Sequence, residues 1–382
     1  MTVDKSQRNG SFELLRILAM FLILMGHFAA HGIQHVSSPD MAVNSAWLTG
    51  NLLNRLTLCA MIPGGRIGVM IFFMLTGFFL ANKKLEEGIG PLTKVKPLVL
   101  QVLFYAGLFF FVGLIAYFGN AIHLYGGVFP ESKAAVLGSL FPIGRGTWWF
   151  FTAYILLFLF SPVLNSLFEG LEKKTFIKLY IGFYIFFYFV PSFIPEPYFT
   201  FQRGLFGYLT GYYLRKYTGE SEAREKITNT IIFSILAFIL FYAGAFLMNF
   251  VQMKVKLGSF DFIPAKYLLK LCDGMNYAVF CPFAGVCLFI LFKNLLAFTN
   301  KTINLIAGTT FGIYLIHDSP IRETFWKLAH VESVYNSTWF PVLALGLGIG
   351  LFLICAGIEL GRQKIFSFTK EKKEQKKTGE SK

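Results

Sequence analysis

"RILAMFLILMGHFAAHG", residues 16–32, sets an arginine at one end of an apolar run and a histidine eleven positions on. The run reads as the body of a membrane span, and the whole chain agrees with it. Of 382 residues, 55% are hydrophobic and 15% charged, with 46 phenylalanines, and the mean hydropathy is +0.58. Ordinary soluble domains carry roughly 25% charged residues. Apolar runs recur from end to end, and in hydrocarbon only helices and closed barrels satisfy every backbone N–H and C=O. These runs are too continuous for the alternating strands of a barrel. The expectation is an all-α integral membrane protein in one bundle.

Ten spans are predicted, over residues 12–30, 67–81, 97–118, 148–168, 176–194, 199–214, 227–251, 275–292, 303–316 and 340–360. The second, sixth and ninth are shorter than the roughly 20 residues a helix needs to cross hydrocarbon. Residues 1–11 read as an N-terminal segment, 12–360 as the membrane domain and 361–382 as a basic, disordered tail whose lysines meet anionic lipid. No cleavable signal peptide is expected. With ten spans and the N-terminus inside, 24 of the 35 lysines and arginines fall on the cytoplasmic side. Both termini are therefore expected in the cytoplasm, and the net charge of +14 needs no nucleic acid to explain it. Two long connections, 31–66 and 252–274, would face outward, and "AWLTGNLLNRLTLCAM" in the first reads as an interfacial helix.

The five cysteines lack metal-ligand spacing, so no metal is expected; Cys59 and Cys272 sit where a disulfide is conceivable. There is no Gly-x-Ser-x-Gly elbow and no phosphate-cradling loop. Attention returns to the first span. Eleven helical residues make about three turns and rise about 16 Å, so Arg16 and His27 share one stripe at different depths. Glu13 lies one turn below the arginine and His31 one turn beyond the histidine. A histidine inside a membrane either pins neighbouring helices by a hydrogen bond or lines a site. An arginine near a helix end commonly snorkels to the headgroups.

"RILAMFLILMGHF", "FFMLTGFFLANKK" at 72–84, "WWFFTAYILLFLFSPVLN" at 148–165 and "FGIYLIHDSP" at 311–320 together resemble the acyltransferase-3 family of bacterial membrane proteins. The likeness runs through nearly the whole chain, and its specificity lies in the order and spacing of motifs that are loose one by one. It implies a ten-helix enzyme of the bacterial plasma (inner) membrane. Such an enzyme takes an acyl group, commonly acetyl from acetyl-CoA, and esterifies a hydroxyl of a cell-surface glycan or its lipid-linked precursor. Succinyl-CoA would serve the same chemistry. His27 would be the catalytic histidine, since imidazole can take a hydroxyl proton near neutral pH, and Arg16 a partner for donor phosphate.

Two departures stand out. Many relatives carry paired arginines after the second helix, where this chain has Lys94 and Lys96, which either serve as point charges for donor phosphate, without the bidentate fork, or merely follow the positive-inside bias. A large subgroup has a glutamate after the aromatic pair of the fourth helix, and "WWFFTAY" has none. On the acceptor side, Trp148, Trp149 and Tyr154 either line a sugar site or belong to the aromatic belt. His317 and Asp318, followed by Arg322 and Glu323, form either an acceptor-side polar cluster or a set of solvated interfacial charges. Arg66, after "PGG", and Arg145, in "GRGTWW", are further candidates for an anionic acceptor such as a lipid-linked sugar phosphate. The rival readings are a secondary transporter, with His27 relaying protons, and a polysaccharide-precursor flippase without acyl transfer.

Overall fold

The structure is a computed structural model that describes residues 8–35, 50–83, 90–121, 137–140, 142, 148–194, 199–219, 224–258, 264–322, 326 and 331–378. Every regular element among them is a helix. Helix α1 spans Gly10–His27 and passes into a π-helical stretch, Phe28–His35. Next come α2 (Leu52–Leu80), α3 (Gly90–Ala121) and α4 (Trp149–Phe168). Helix α5 (Lys173–Phe183) continues as a π segment, Tyr184–Phe189, and a final 3-10 turn, Val190–Phe193. Helices α6 (Phe199–Lys216) and α7 (Arg224–Lys256) follow. Then α8 (Ala265–Met275) runs through a π segment, Asn276–Phe280, into α9 (Cys281–Lys293). The short α10 (Lys301–Ala307), α11 (Thr310–His317) and α12 (Val331–Tyr335) precede α13 (Phe340–Thr378).

Eight stretches among the described residues are long and apolar enough to cross a membrane, so two of the ten expected spans differ in kind. The sixth, α6, is 18 residues long but carries tyrosines, glycines and Arg203. It tolerates them because its neighbours bury it. Gly207 and Gly211 lie against the backbone of α2 at Met70 and Met74, and Gly77 of α2 against the carbonyl of Tyr208. The ninth is broken into α10 and α11 at Gly308–Thr309. Its hydroxyls turn inward, Thr309 Oγ1 donating to Ile306 O at 2.7 Å and Thr310 Oγ1 to Ala307 O at 2.9 Å.

The second span is not short. Helix α2 has 29 residues, starts at an Asn51 cap that accepts from Asn54 N at 2.9 Å, and includes Pro63, Gly64, Gly65 and Arg66. These four read as connection in the sequence because proline and paired glycine usually break helices. Here the neighbouring helices supply what the proline removes. Pro63 cannot donate to Cys59 O, and Asn249 Nδ2 of α7 does so at 3.3 Å. At two further buried helix prolines the freed carbonyl is also met, once from the same helix: Ser161 Oγ donates to Phe158 O, freed by Pro162, at 2.7 Å. Tyr184 Oη donates to Ala278 O, freed by Pro282, at 3.0 Å.

The glycines of α2 bring it onto α1. A Cβ at Gly26 would stand 2.6 Å from Gly65 N, and one at Gly64 2.8 Å from Leu22 O. Across this seam the backbones touch, the packing that small residues allow in lipid. Elsewhere, Tyr105 Oη of α3 donates to the fully buried Glu359 of α13 at 2.7 Å. Arg362 closes on the same carboxylate with two bonds, 2.6 and 2.9 Å. Gly312 of α11 makes room for this group, since a Cβ there would lie 2.5 Å from Glu359 Cδ. Lipid-facing surfaces fall on the outer helices, as at Phe111 on α3, Phe233 on α7 and Ile354 on α13.

Helix α13 runs on past residue 361 to Thr378, its lysines and glutamates being good helix formers. No cysteine is bridged, and all five are buried and free.

Tyr184→Phe should strand the Ala278 carbonyl and cost about 1–3 kcal/mol of stability, whereas Phe186→Leu on the lipid-facing side of the same segment should cost under about 0.5 kcal/mol. Thermal unfolding of the purified protein in detergent would compare the two.

Candidate active site

Helix α1 delivers His27 at its last α-helical residue, where the backbone widens into a π turn and the N–H of Phe28 is shared between Leu24 O and Met25 O. Such turns favour functional positions because they re-aim side chains. The widened turn sets His31 edge-to-face against His27, with ring centroids 5.1 Å apart. From the opposite side comes α11. It stops at His317 because Ser319 precedes Pro320, and a residue before proline is pushed out of the helical region. The short helix thus ends inside the bundle, with the buried His317 and Asp318 at its tip.

His27 Nδ1 lies 3.1 Å from His317 Nε2, and His317 Nδ1 lies 2.7 Å from Ile313 O. A carbonyl only accepts, so His317 Nδ1 must carry a proton and donate it. In the neutral pair, His317 Nε2 is then a lone pair, His27 Nδ1–H donates to it, and His27 Nε2 is left bare. The dyad fixes the tautomer that makes His27 a base. Asp318 Oδ1 stands 3.9 Å from His27 Nδ1 and accepts from Arg322 Nη1 at 2.5 Å. An imidazolium formed at His27 would gain from this carboxylate, less what Arg322 cancels.

The His27 side chain is 21% exposed and faces a cavity of about 380 Å³ lined by His31, Arg66, Trp149, Arg203 and Tyr277 among others. Arg66 Cζ sits 3.6 Å from the centroid of the Tyr277 ring, and Arg203 Cζ 3.7 Å from it. Two guanidiniums that close must occupy opposite faces. Arg66 Nη2 also donates to Asp273 Oδ1 at 2.5 Å. The Gly26–Gly65 contact brings the next residues in line, His27 and Arg66, to one wall.

Arg16 lies at the other end of α1. It donates to Glu13 Oε1 at 2.6 Å, its Cζ is 5.5 Å from the Phe79 ring centroid, and its charge reaches the Tyr154 hydroxyl. Tyr154 stands on α4 beside Phe150. The two tryptophans part ways: Trp148 is wholly buried in the core near Phe109, and Trp149 lines the cavity. His317 and Asp318 are each 2% exposed, which overturns the reading of a solvated interfacial set. Lys96 is exposed on α3; the Lys94 side chain, Arg145 and Glu323 lie outside the described residues. Arg203 and Tyr277 were missed. A lone arginine inside the sixth span was the available signal for the first; nothing in the sequence marked the second.

A helical bundle of membrane-spanning length, with a histidine pair whose one member, His27, lines a cavity, has the makings of a membrane enzyme. Residues 9–359 match the family model described as an acyltransferase domain, and the chain belongs to the acyltransferase-3 family. It is a membrane acyltransferase. No curated protein and no solved structure matches the chain.

His317→Phe should remove the acceptor for His27 Nδ1–H and lower kcat about 10²-fold with KM little changed. His317→Gln, whose amide can accept from His27 and donate to Ile313 O, should recover much of the loss. Steady-state kinetics on the two variants would check the order.

Proposed function

We propose that the protein is an O-acetyltransferase of the bacterial plasma membrane, both termini cytoplasmic. It would esterify a hydroxyl of an envelope or exported polysaccharide, or of its lipid-linked precursor, with acetyl-CoA as donor and succinyl-CoA compatible with the same site. The observation that carries the reading is the bare Nε2 of His27, aimed by His317 into a cavity large enough for a sugar ring. Known ligand sites span about 300–1,000 Å³.

In this orientation Arg16 lies on the cytoplasmic side and the cavity in the outer half of the membrane. The residues at Arg16 suit an elongated donor. Glu13 Oε2 is buried without a hydrogen-bond partner, an acceptor for an amide N–H, beside a cation suited to phosphate. The rise of about 16 Å from Arg16 to His27 is about the reach of an extended pantetheine arm. When bound, the donor supplies a thioester carbonyl as electrophile. His27 Nε2 takes the proton of the acceptor hydroxyl as its oxygen forms the new C–O bond. Asp318 steadies the imidazolium, which then returns the proton to the sulfur as the C–S bond breaks. Ester and free thiol are the products, and the histidine ends neutral.

Purified protein should release free CoA from acetyl-CoA only when a glycan acceptor is present, and His27→Ala should lower kcat by about 10²–10⁴-fold with an unchanged unfolding temperature. Arg16→Ala should act mainly on KM for the donor. Mass spectrometry of surface glycans with and without the chain should show a lost acetyl or succinyl ester. Full turnover in His27→Ala would refute the mechanism; no donor consumption with any acceptor would favour a transporter or flippase.

A further inference from the structure

The cavity lining beside the dyad has a charge pattern that a neutral sugar does not call for. Two guanidiniums line it, and none of its lining residues is a carboxylate. The nearest described carboxylate, Asp273, is bonded to Arg66, is 46% exposed and also acts on Lys256. Arg66 and Arg203 repel one another across Tyr277. Holding two like charges together in a lipid-embedded site is unfavourable unless something repays it.

The stacking also dictates which atoms remain for binding. A guanidinium laid flat on an aromatic ring uses its face and keeps its edge, where the N–H donors point. Arg66 spends Nη2 on Asp273, while its Nη1 is buried with no hydrogen-bond partner. Tyr277 is itself fixed. Its backbone carbonyl accepts from Tyr188 Oη at 2.8 Å, and it belongs to the π segment ahead of Pro282. Arg203 is held by the same side chain, over the ring of Tyr277 and in a hydrogen bond with it, and both guanidiniums line the same cavity as His27. Flat, bidentate donors match carboxylate and phosphate oxygens.

We propose that the acceptor is anionic: a carboxylate or phosphate near the acylated hydroxyl is held by Arg66 and Arg203 while that hydroxyl meets His27. The proposal rests on the acyltransferase reading for the role of His27, but the anion site can be tested apart from turnover. Three probes suffice: tri-galacturonate, its neutral methyl ester, and a farnesyl-diphosphate-linked N-acetylglucosamine. Binding is measured by titration calorimetry on the full chain in detergent, and acetyl transfer with labelled acetyl-CoA.

At least one charged probe should bind tenfold or more tightly than the methyl ester, and added salt should erode the difference. Arg203→Gln should bring the charged probe down to the neutral one, and Arg203→Lys should keep part of the preference. Preference for galacturonate places the anion in the glycan; preference for the diphosphate places it in the lipid carrier. Equal binding of charged and esterified probes by the wild-type protein overturns the proposal, whether or not the variants fold. So does equal loss of charged and neutral probes in a folded Arg203→Gln. Charge-selective binding without acetyl transfer to any probe would leave the anion site standing and remove the acyltransferase reading. Transfer to charged and neutral probes alike would do the reverse.

Discussion

In hydrocarbon no water waits to bond a stranded carbonyl, and the bundle is organised around that constraint. Each of Pro63, Pro162 and Pro282 frees a carbonyl one turn back, and each of those carbonyls finds a donor: Asn249, Ser161 and Tyr184. Two of the donors come from another helix, so the repair is also a tie. Asn249 binds α7 to α2, and Tyr184 binds α5 to the segment that holds Tyr277. Without these ties α2 would end at its proline and α8 would part from α9. Arg66 and Tyr277, each within five residues of a buried proline, would then have no fixed wall to stand on.

From this frame the site follows in steps. Glycines on α1 and α2 let the two backbones meet, which sets His27 beside Arg66. The short α11, tied to α13 by the space that Gly312 leaves for Glu359, ends where His317 can accept from His27. Proton position is then a matter of elimination along Ile313 O, His317 and His27. The acyltransferase family supplies the reaction class, and the hydrogen-bond order leaves His27 Nε2 with its lone pair in the neutral dyad.

The fold class was legible because composition and run length speak directly to the solvent a helix must meet, and the stripe of Arg16 and His27 was legible because helical periodicity is fixed. What stayed hidden depended on partners distant in sequence. Pro63, Gly64 and Gly65 look like a break until Asn249, 186 residues away from Pro63, is known to face them. Span nine looked continuous because apolar count does not report a turn at Gly308. His317 and Asp318 looked solvated, since a charged pair before proline usually marks a surface; burial against His27 is a tertiary fact. Arg203 was counted for topology alone, although an arginine in a short span needs a partner.

Three stretches of π-helix, Phe28–His35, Tyr184–Phe189 and Asn276–Phe280, contribute His31, Tyr188 and Tyr277 to the one cavity. A π turn holds a surplus residue that the ordinary ladder does not need. Here the surplus turns wind the backbone wider at three places around one cavity, and so set the directions of His31, Tyr188 and Tyr277 without breaking the rods that carry them.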